Sequence, residues 1–356
     1  MNFPETILKS EEKAIFRLRS LYRSRGYEPY KMSKFEEYDL YVRNKSFLVS
    51  DNIITFTDTD GKLMALKPDV TLSIIKNTRD GETKRVYYNE NVYRVSDGSH
   101  SYKEIMQAGL ECIGDIDTYS LSEVITLAIE SLWAISDEFV LDVSHIGIVS
   151  TLIDKMQIDE KTKGELLSCI GEKNIHGIEA ICKQRGIDAS RLTLLIRSYG
   201  KPREVLEILR KNFTEDEFKS DIDCLEEVLS SVDITNLRLD FSVVSDTNYY
   251  NGIVFKGFVK TIPGAVLSGG QYDALMKRLS RTSGAVGFAV YLDCLEGFSK
   301  APEYDVDTLV VYSDTTPTAK VCEVVRRRIL MGESVRAQKR IPEKLKYKTL
   351  VEIHED

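Results

Sequence analysis

The pattern that most limits the fold of this chain is an interruption. Strand-like segments fill much of residues 52–143 and resume at 237, while between 146 and 232 the spacing is almost entirely helical. In the first block, 52–57 and 62–66 flank the turn signal DTDG at 58–61, the mark of a hairpin. Residues 85–95 and 102–114 read as two longer strands on either side of an SDGS turn at 96–99, and 139–143 is another. The second block holds 237–241, 253–255, 265–267 and 285–292. Strands joined by hairpins, with helices grouped apart, predict an antiparallel α+β sheet rather than a doubly wound one. The chain therefore divides into a sheet-forming first part (1–145), a helical insertion (146–235), a second sheet-forming part (236–300) and a short α/β tail (301–356).

Local signals fill in this frame. Ile15, Leu18, Leu21 and Tyr22 are spaced for a helix over 11–25, which Gly26 ends. Pro68 breaks the preceding strand, and Asp69 can cap a short helix running to Ile75. An amphipathic helix is predicted over 120–136, with Val124, Leu127, Ala128, Leu132 and Ile135 on one face. In the tail, 308–312 and 349–353 read as strands and 319–330 as a helix. Within SDTNYYNGIVF at 245–255, strand alternation sends Tyr249 and Tyr250 to opposite faces, so one of them is expected in the core.

Composition narrows the function classes. A length of 356 residues predicts two or three domains. No apolar run approaches the roughly 20 residues of a membrane span, and the first 16 residues carry acids and no apolar signal core. The expectation is a cytoplasmic protein with no membrane partner. Six dispersed cysteines without a CxxC pair argue against both structural zinc and a disulfide scaffold. Four dispersed histidines argue against a histidine metal site. No GxGxxG or GxxxxGK[ST] phosphate cradle occurs, so neither a metal nor a cofactor is expected. The net charge of −8 argues against nucleic-acid binding. One segment departs from it: between 320 and 348 stand ten Lys and Arg against three Glu, a balance of +7. It reads as a solvated helix face or, alternatively, as a docking surface for an acidic partner or RNA.

Three stretches carry candidate chemistry. LKPDVT at 66–71 ends the first hairpin. Tyr93-Arg94 lies on one strand and QAGLE at 107–111 on the next. YYNG at 249–252 is followed by SGGQYD at 268–273 and GFAVYL at 287–292. In this order they resemble the core of the class II aminoacyl-tRNA synthetases, and the histidine-specific branch in particular, over residues 5–300. That branch carries LRPEGT, FRYE, FxQxxxE, RGLDYYTG, GGRYD and a GFAxGLERL-like strand and helix. The resemblance implies a class II synthetase-like antiparallel sheet flanked by helices.

It also implies an amino-acid pocket. Asp69, Thr71 and Gln107 fall where the family holds the ligand ammonium, a group that wants a carboxylate and neutral acceptors. Glu111 and Tyr250 align with the imidazole contacts, imidazole presenting one donor and one acceptor. Tyr272 closes the pocket, and Arg94 can pair the ligand carboxylate. A simpler reading of Arg94 and Glu111 is a strand–strand salt bridge. The catalytic cations depart from the pattern: Ser245 stands for the arginine of RGLDYYTG, Gln271 for that of GGRYD and Cys294 for that of the last motif. Ser96 stands for the FRYE glutamate. Carboxylate attack on an α-phosphate needs guanidinium groups to stabilise charge on the phosphate oxygens, and serine or cysteine cannot supply them.

A histidyl-like core without its catalytic arginines resembles the regulatory subunits of ATP phosphoribosyltransferase, whose LDxxHxG pattern is matched by LDVSHIG at 141–147. This implies a non-catalytic chain that dimerises through its core. It also implies assembly with a short-form catalytic ATP phosphoribosyltransferase subunit in a hetero-octamer, and transmission of histidine feedback on the first step of histidine biosynthesis, with L-histidine as effector. About 50 residues follow Asp305, too few for an independent anticodon-binding domain of about 100, so the tail resembles a remnant of one. The alternatives are a divergent histidyl-tRNA synthetase and a free-standing histidine-sensing paralogue.

Overall fold

A computed structural model describes residues 8–42, 53–95, 101–244, 249–295 and 303–353. The turn expected at 96–99 and the start of the SDTNYYNG stretch, Ser245 included, lie outside them. Contacts divide the chain into two compact units, 1–298 and 299–356.

In chain order the first unit opens with α1 (Ser10–Ser24), β1 (Glu28–Pro29), β2 (Phe35–Glu37), α2 (Tyr38–Val42), β3 (Thr55–Thr57), β4 (Leu63–Leu66), α3 (Thr71–Lys76), β5 (Lys84–Val95) and β6 (Tyr102–Gly114). It continues through α4 (Thr118–Trp133) and β7 (Phe139–His145). Helices α5 (Ile146–Asp154), α6 (Glu160–Gly171), α7 (Ile175–Arg185), α8 (Ser190–Arg197), α9 (Pro202–Asn212) and α10 (Asp216–Ser230) follow, with the two-residue β8 (Tyr199–Gly200) between α8 and α9. The unit closes with β9 (Leu237–Asp240), β10 (Ile253–Val259), β11 (Ala265–Gln271), α11 (Asp273–Arg278), β12 (Gly284–Tyr291) and a 3-10 turn, Leu292–Leu295.

Among the described residues, nine strands form one sheet in the order β1-β5-β6-β12-β11-β10-β7-β9-β8. Its centre is antiparallel, and β1 with β5 and β7 with β9 are the parallel pairs. Alternation along the strands divides the sheet into two chemistries. Leu110, Cys112, Val286, Phe288, Phe255 and Leu267 turn to one side and join a core with Leu18 and Tyr22 of α1 and Val124 and Leu132 of α4. Helix α4 begins two residues earlier than its apolar spacing alone suggests, because Asp117 accepts the Ser120 N–H at 2.8 Å and so satisfies an otherwise open helix donor. Leu132 packs where a Cβ on Gly257 would stand, so α4 sits directly against β10. Tyr22 and Ser131 share a buried hydroxyl–hydroxyl bond of 3.0 Å that ties α1 to α4.

The opposite face of the same strands carries Gln107, Glu111, Gly287, Ser268 and Lys256, one per alternate position. It is roofed by α3, α11 and the small sheet β2-β4-β3. The fully buried Lys67 ammonium pairs with Glu90 of β5 and pins the end of the hairpin to the large sheet. The hairpin turns where Asp58 Oδ1 accepts the N–H groups of Asp60 and Lys62 and Gly61 takes φ +81°.

The second unit has β13 (Val306–Val311), α12 (Thr318–Leu330), β14 (Val335–Gln338) and β15 (Tyr347–Glu352), with the strands parallel in the order β14-β13-β15. The sequence pattern gives no sign of β14. It is four residues long, VRAQ, and lies inside the basic segment, where charge masks the alternation. Within that segment Arg328 pairs with Glu333 at 3.2 Å and Lys339 with Asp314, and no residue of α12 is buried. No described helix is long and apolar enough to cross a membrane.

Candidate functional site

Because β6 alternates, Gln107 and Glu111, four residues apart, project from the same face as each other and away from the apolar core. They form the floor of a cavity of about 510 Å³ with Gly287, Ala289 and Tyr291 of β12, Ser268 of β11 and Lys256 of β10. The start of α3 supplies Asp69 and Thr71, β5 supplies Tyr88 and Arg94, and the wall is completed by Tyr249, Tyr250 and Tyr272. The structure thus brings Asp69, Thr71, Arg94, Gln107, Glu111, Tyr250 and Tyr272 to one cavity.

Glu111 is its most constrained member, 2% exposed. Oε1 accepts the Thr71 hydroxyl at 2.7 Å and Oε2 accepts the Tyr272 hydroxyl at 2.5 Å. Facing it, Gly287 leaves space that only a glycine can leave: a Cβ there would overlap Oε2. Burial pushes the Glu111 carboxyl up to about 8, against the lowering effect of the Tyr272 and Thr71 hydrogen bonds, and the nearby Asp69 charge adds to the rise. Asp69 lines the same cavity. Its Oδ1 accepts the Leu72 N–H at 2.8 Å, so it caps α3 from two residues before the helix. Burial raises its carboxyl as well, opposed by the Leu72 hydrogen bond and by Arg94.

Arg94 and Glu111 do not form the cross-strand pair that the sequence allows. In the β5–β6 register Glu111 lies opposite Val86 and Arg94 opposite Lys103, and Arg94 Nε donates to the Pro68 carbonyl at 3.0 Å. The expected parting of Tyr249 and Tyr250 is also corrected. Both precede β10, which starts at Ile253, so strand alternation does not act on them. Their rings lie 4.6 Å apart, Tyr249 is 5.7 Å from Tyr272, and both residues face the cavity.

Of the positions read as lost catalytic groups, Ser96 and Ser245 lie outside the described residues. Gln271 is turned to the chain itself: its Nε2 donates to Asp273 Oδ2 at 2.6 Å, and it fills the space above Gly252. Cys294 lies in the 3-10 turn and is half-buried. Neither lines the cavity. The sequence reasoning missed Lys256, Ser268, Tyr88, Tyr291 and the close approach at Gly287. Ser268, Gly287 and Tyr291 stand inside the motifs SGGQYD and GFAVYL, and Lys256 is a lysine inside the apolar run IVFKGF.

Known proteins share this fold. The histidyl-tRNA synthetase family profile matches residues 4–295. The ATP phosphoribosyltransferase regulatory subunit of Caldanaerobacter subterraneus subsp. tengcongensis is 32% identical over 290 residues, which are 78% of this chain and 75% of that protein. The chain belongs to this regulatory-subunit family, on the histidyl-tRNA synthetase fold. Among solved structures, a regulatory subunit/histidyl-tRNA synthetase from Bacillus halodurans superposes with a TM-score of 0.75 at 23% identity, covering 99% of this chain and 96% of that one. A chain of the ATP phosphoribosyl transferase complex from Thermotoga maritima gives 0.63 at 20% identity, covering 79% of this chain and 97% of that one. At these identities the two structures establish the fold.

Two outcomes follow from this geometry. Gly287→Ala forces Glu111 off its two hydroxyl partners and is expected to destabilise the chain by about 1–3 kcal/mol, as overpacking does, read as a lower urea midpoint. An unchanged midpoint contradicts the packing described. Glu111 also predicts a pH signature. Its folded carboxyl is raised from the ordinary 4.5 to about 8, so its contribution is fully present below pH 4.5 and declines as pH rises towards 8. The melting temperature of wild type relative to Glu111→Gln should therefore fall across that window. A constant difference would mean that Glu111 is ionised throughout.

Proposed function

We propose that this chain is a non-catalytic regulatory subunit of ATP phosphoribosyltransferase, required for the partner's activity and for histidine feedback on the first step of histidine biosynthesis. One observation carries the reading: the cavity keeps a complete acidic end while Arg94 is the one arginine lining it among the described residues. Binding an amino acid needs hydrogen-bond partners and charge complementarity at equilibrium. Forming an adenylate needs several fixed cations around a phosphate in the transition state. The residues present suit the first task. In this reading Asp69, Thr71 and Gln107 hold the ammonium group of L-histidine, Glu111 and Tyr250 take the imidazole, Arg94 faces the carboxylate, and Tyr272 holds Glu111 in place.

Activity then resides in a short-form catalytic subunit, with which this chain assembles in a cytoplasmic hetero-octamer after dimerising through its core. The chemistry of control is a population shift. Histidine binds one arrangement of the complex better than the other and biases it by that difference in affinity. The unit 299–356, three parallel strands and one helix, serves in this reading as the remnant of an anticodon-binding-like domain.

Co-expression with a short catalytic ATP phosphoribosyltransferase subunit tests the assignment. The two chains should co-elute on size exclusion, and the transferase rate should rise and become sensitive to histidine. A catalytic subunit that neither co-elutes nor changes its rate contradicts the regulatory role.

A further inference from the structure

Lys256 reaches the cavity from β10, on the side away from Glu111. Its two cross-strand neighbours are Ser268 on β11 and Asp142 on β7. Asp142 is already engaged: Arg238 Nε donates to Oδ1 at 2.9 Å and Nη2 to Oδ2 at 3.2 Å. Among the described residues Lys256 has no ion-pair partner. The other cation of the cavity is placed differently. Arg94 donates to the Pro68 carbonyl, and its charge falls on Asp69 and Tyr291, so it braces the acidic end.

The spacing of the two ends is set by the sheet. From β6, which carries Glu111, to β10, which carries Lys256, are three strand intervals through β12 and β11. At about 4.8 Å each these put about 14 Å between the two backbones. That is too far for a direct ion pair, and it leaves room for a small molecule between the side chains. A molecule lying there meets carboxylates at one end and an ammonium at the other, which is the charge pattern of a zwitterion.

We propose that Lys256 holds the carboxylate of an α-amino acid whose ammonium group and side chain are taken at the Asp69–Glu111 end. This rests on the reading of the cavity as a histidine site, keeps its ammonium and imidazole contacts, and moves the carboxylate from Arg94, which is engaged with the Pro68 carbonyl, to Lys256. Lys256 enters from β10, three strands across the sheet from β6, and supplies a point charge to the carboxylate. A lysine does this well, whereas it lacks the fork that an arginine offers a phosphate.

Calorimetric titration of wild type, Lys256→Met and Lys256→Arg with histidine, with histamine (the same molecule without its carboxylate) and with AMP tests the assignment. Losing a hydrogen bond to a charged group should weaken histidine binding by Lys256→Met about tenfold or more. Lys256→Arg should recover most of it, and histamine should bind wild type and Lys256→Met alike. If Lys256→Met binds histidine as wild type does, Lys256 is idle and the proposal falls while the histidine site stands. If histamine weakens as much as histidine, the role of Lys256 is structural and the proposal falls again. Wild type that binds AMP but not histidine, or neither, overturns the histidine site and the role of Lys256 together.

Discussion

The site depends on one acidic group, Glu111, held almost wholly out of solvent on the cavity floor. Glu111 is held by a hydroxyl from α3 and a hydroxyl from Tyr272 at the start of α11, so one buried group ties two roofing elements to the central strand β6. Burying an acid without such partners is costly, and here the partners come from segments some 40 and 160 positions away in the chain. The absent side chain of Gly287 completes the arrangement. With these groups in place, the cavity has an acidic end whether or not anything is bound. Burial favours the neutral form of both carboxyls, and an arriving cation favours the charged one.

The rest of the sheet serves this placement. The same alternation that sends Leu110 and Cys112 into the core under α1 and α4 sends Gln107 and Glu111 to the cavity. Core and site are therefore two faces of single strands, and a register slip of one residue would exchange them. In the proposed reading the chain lacks the cations that stabilise a reacting phosphate and keeps the groups that hold an amino acid, because the two tasks draw on different side chains. The aligned positions Ser245, Gln271 and Cys294 are consistent with that division.

Much of this was legible in the chain itself. The two sheet-forming blocks, the helical stretch between them and the extent of β6 follow from spacing and turn residues, which are local properties. Glu111 and Gln107 were readable through the resemblance, which places them among the ligand contacts, and their spacing of four on one strand agrees with a shared face. What escaped was set by distant partners. Gly287 reads as one more glycine in an apolar strand until Glu111 is seen to occupy its missing side chain. Lys256 stands in the apolar run IVFKGF, and only the order β6-β12-β11-β10 brings it over the cavity. The tyrosine pair was misjudged because it lies just before β10, where the two-residue period does not apply. Strand β14 was hidden because its pairing with β13, and not its own composition, makes it a strand.

In the proposed reading this cavity binds an amino acid without activating it. Histidine-dependent exchange of pyrophosphate into ATP reports adenylate formation directly and needs no tRNA and no partner subunit. The account predicts no exchange above background from the purified chain with histidine, ATP and Mg²⁺. Sustained exchange that depends on histidine would contradict it and would make the chain a working synthetase.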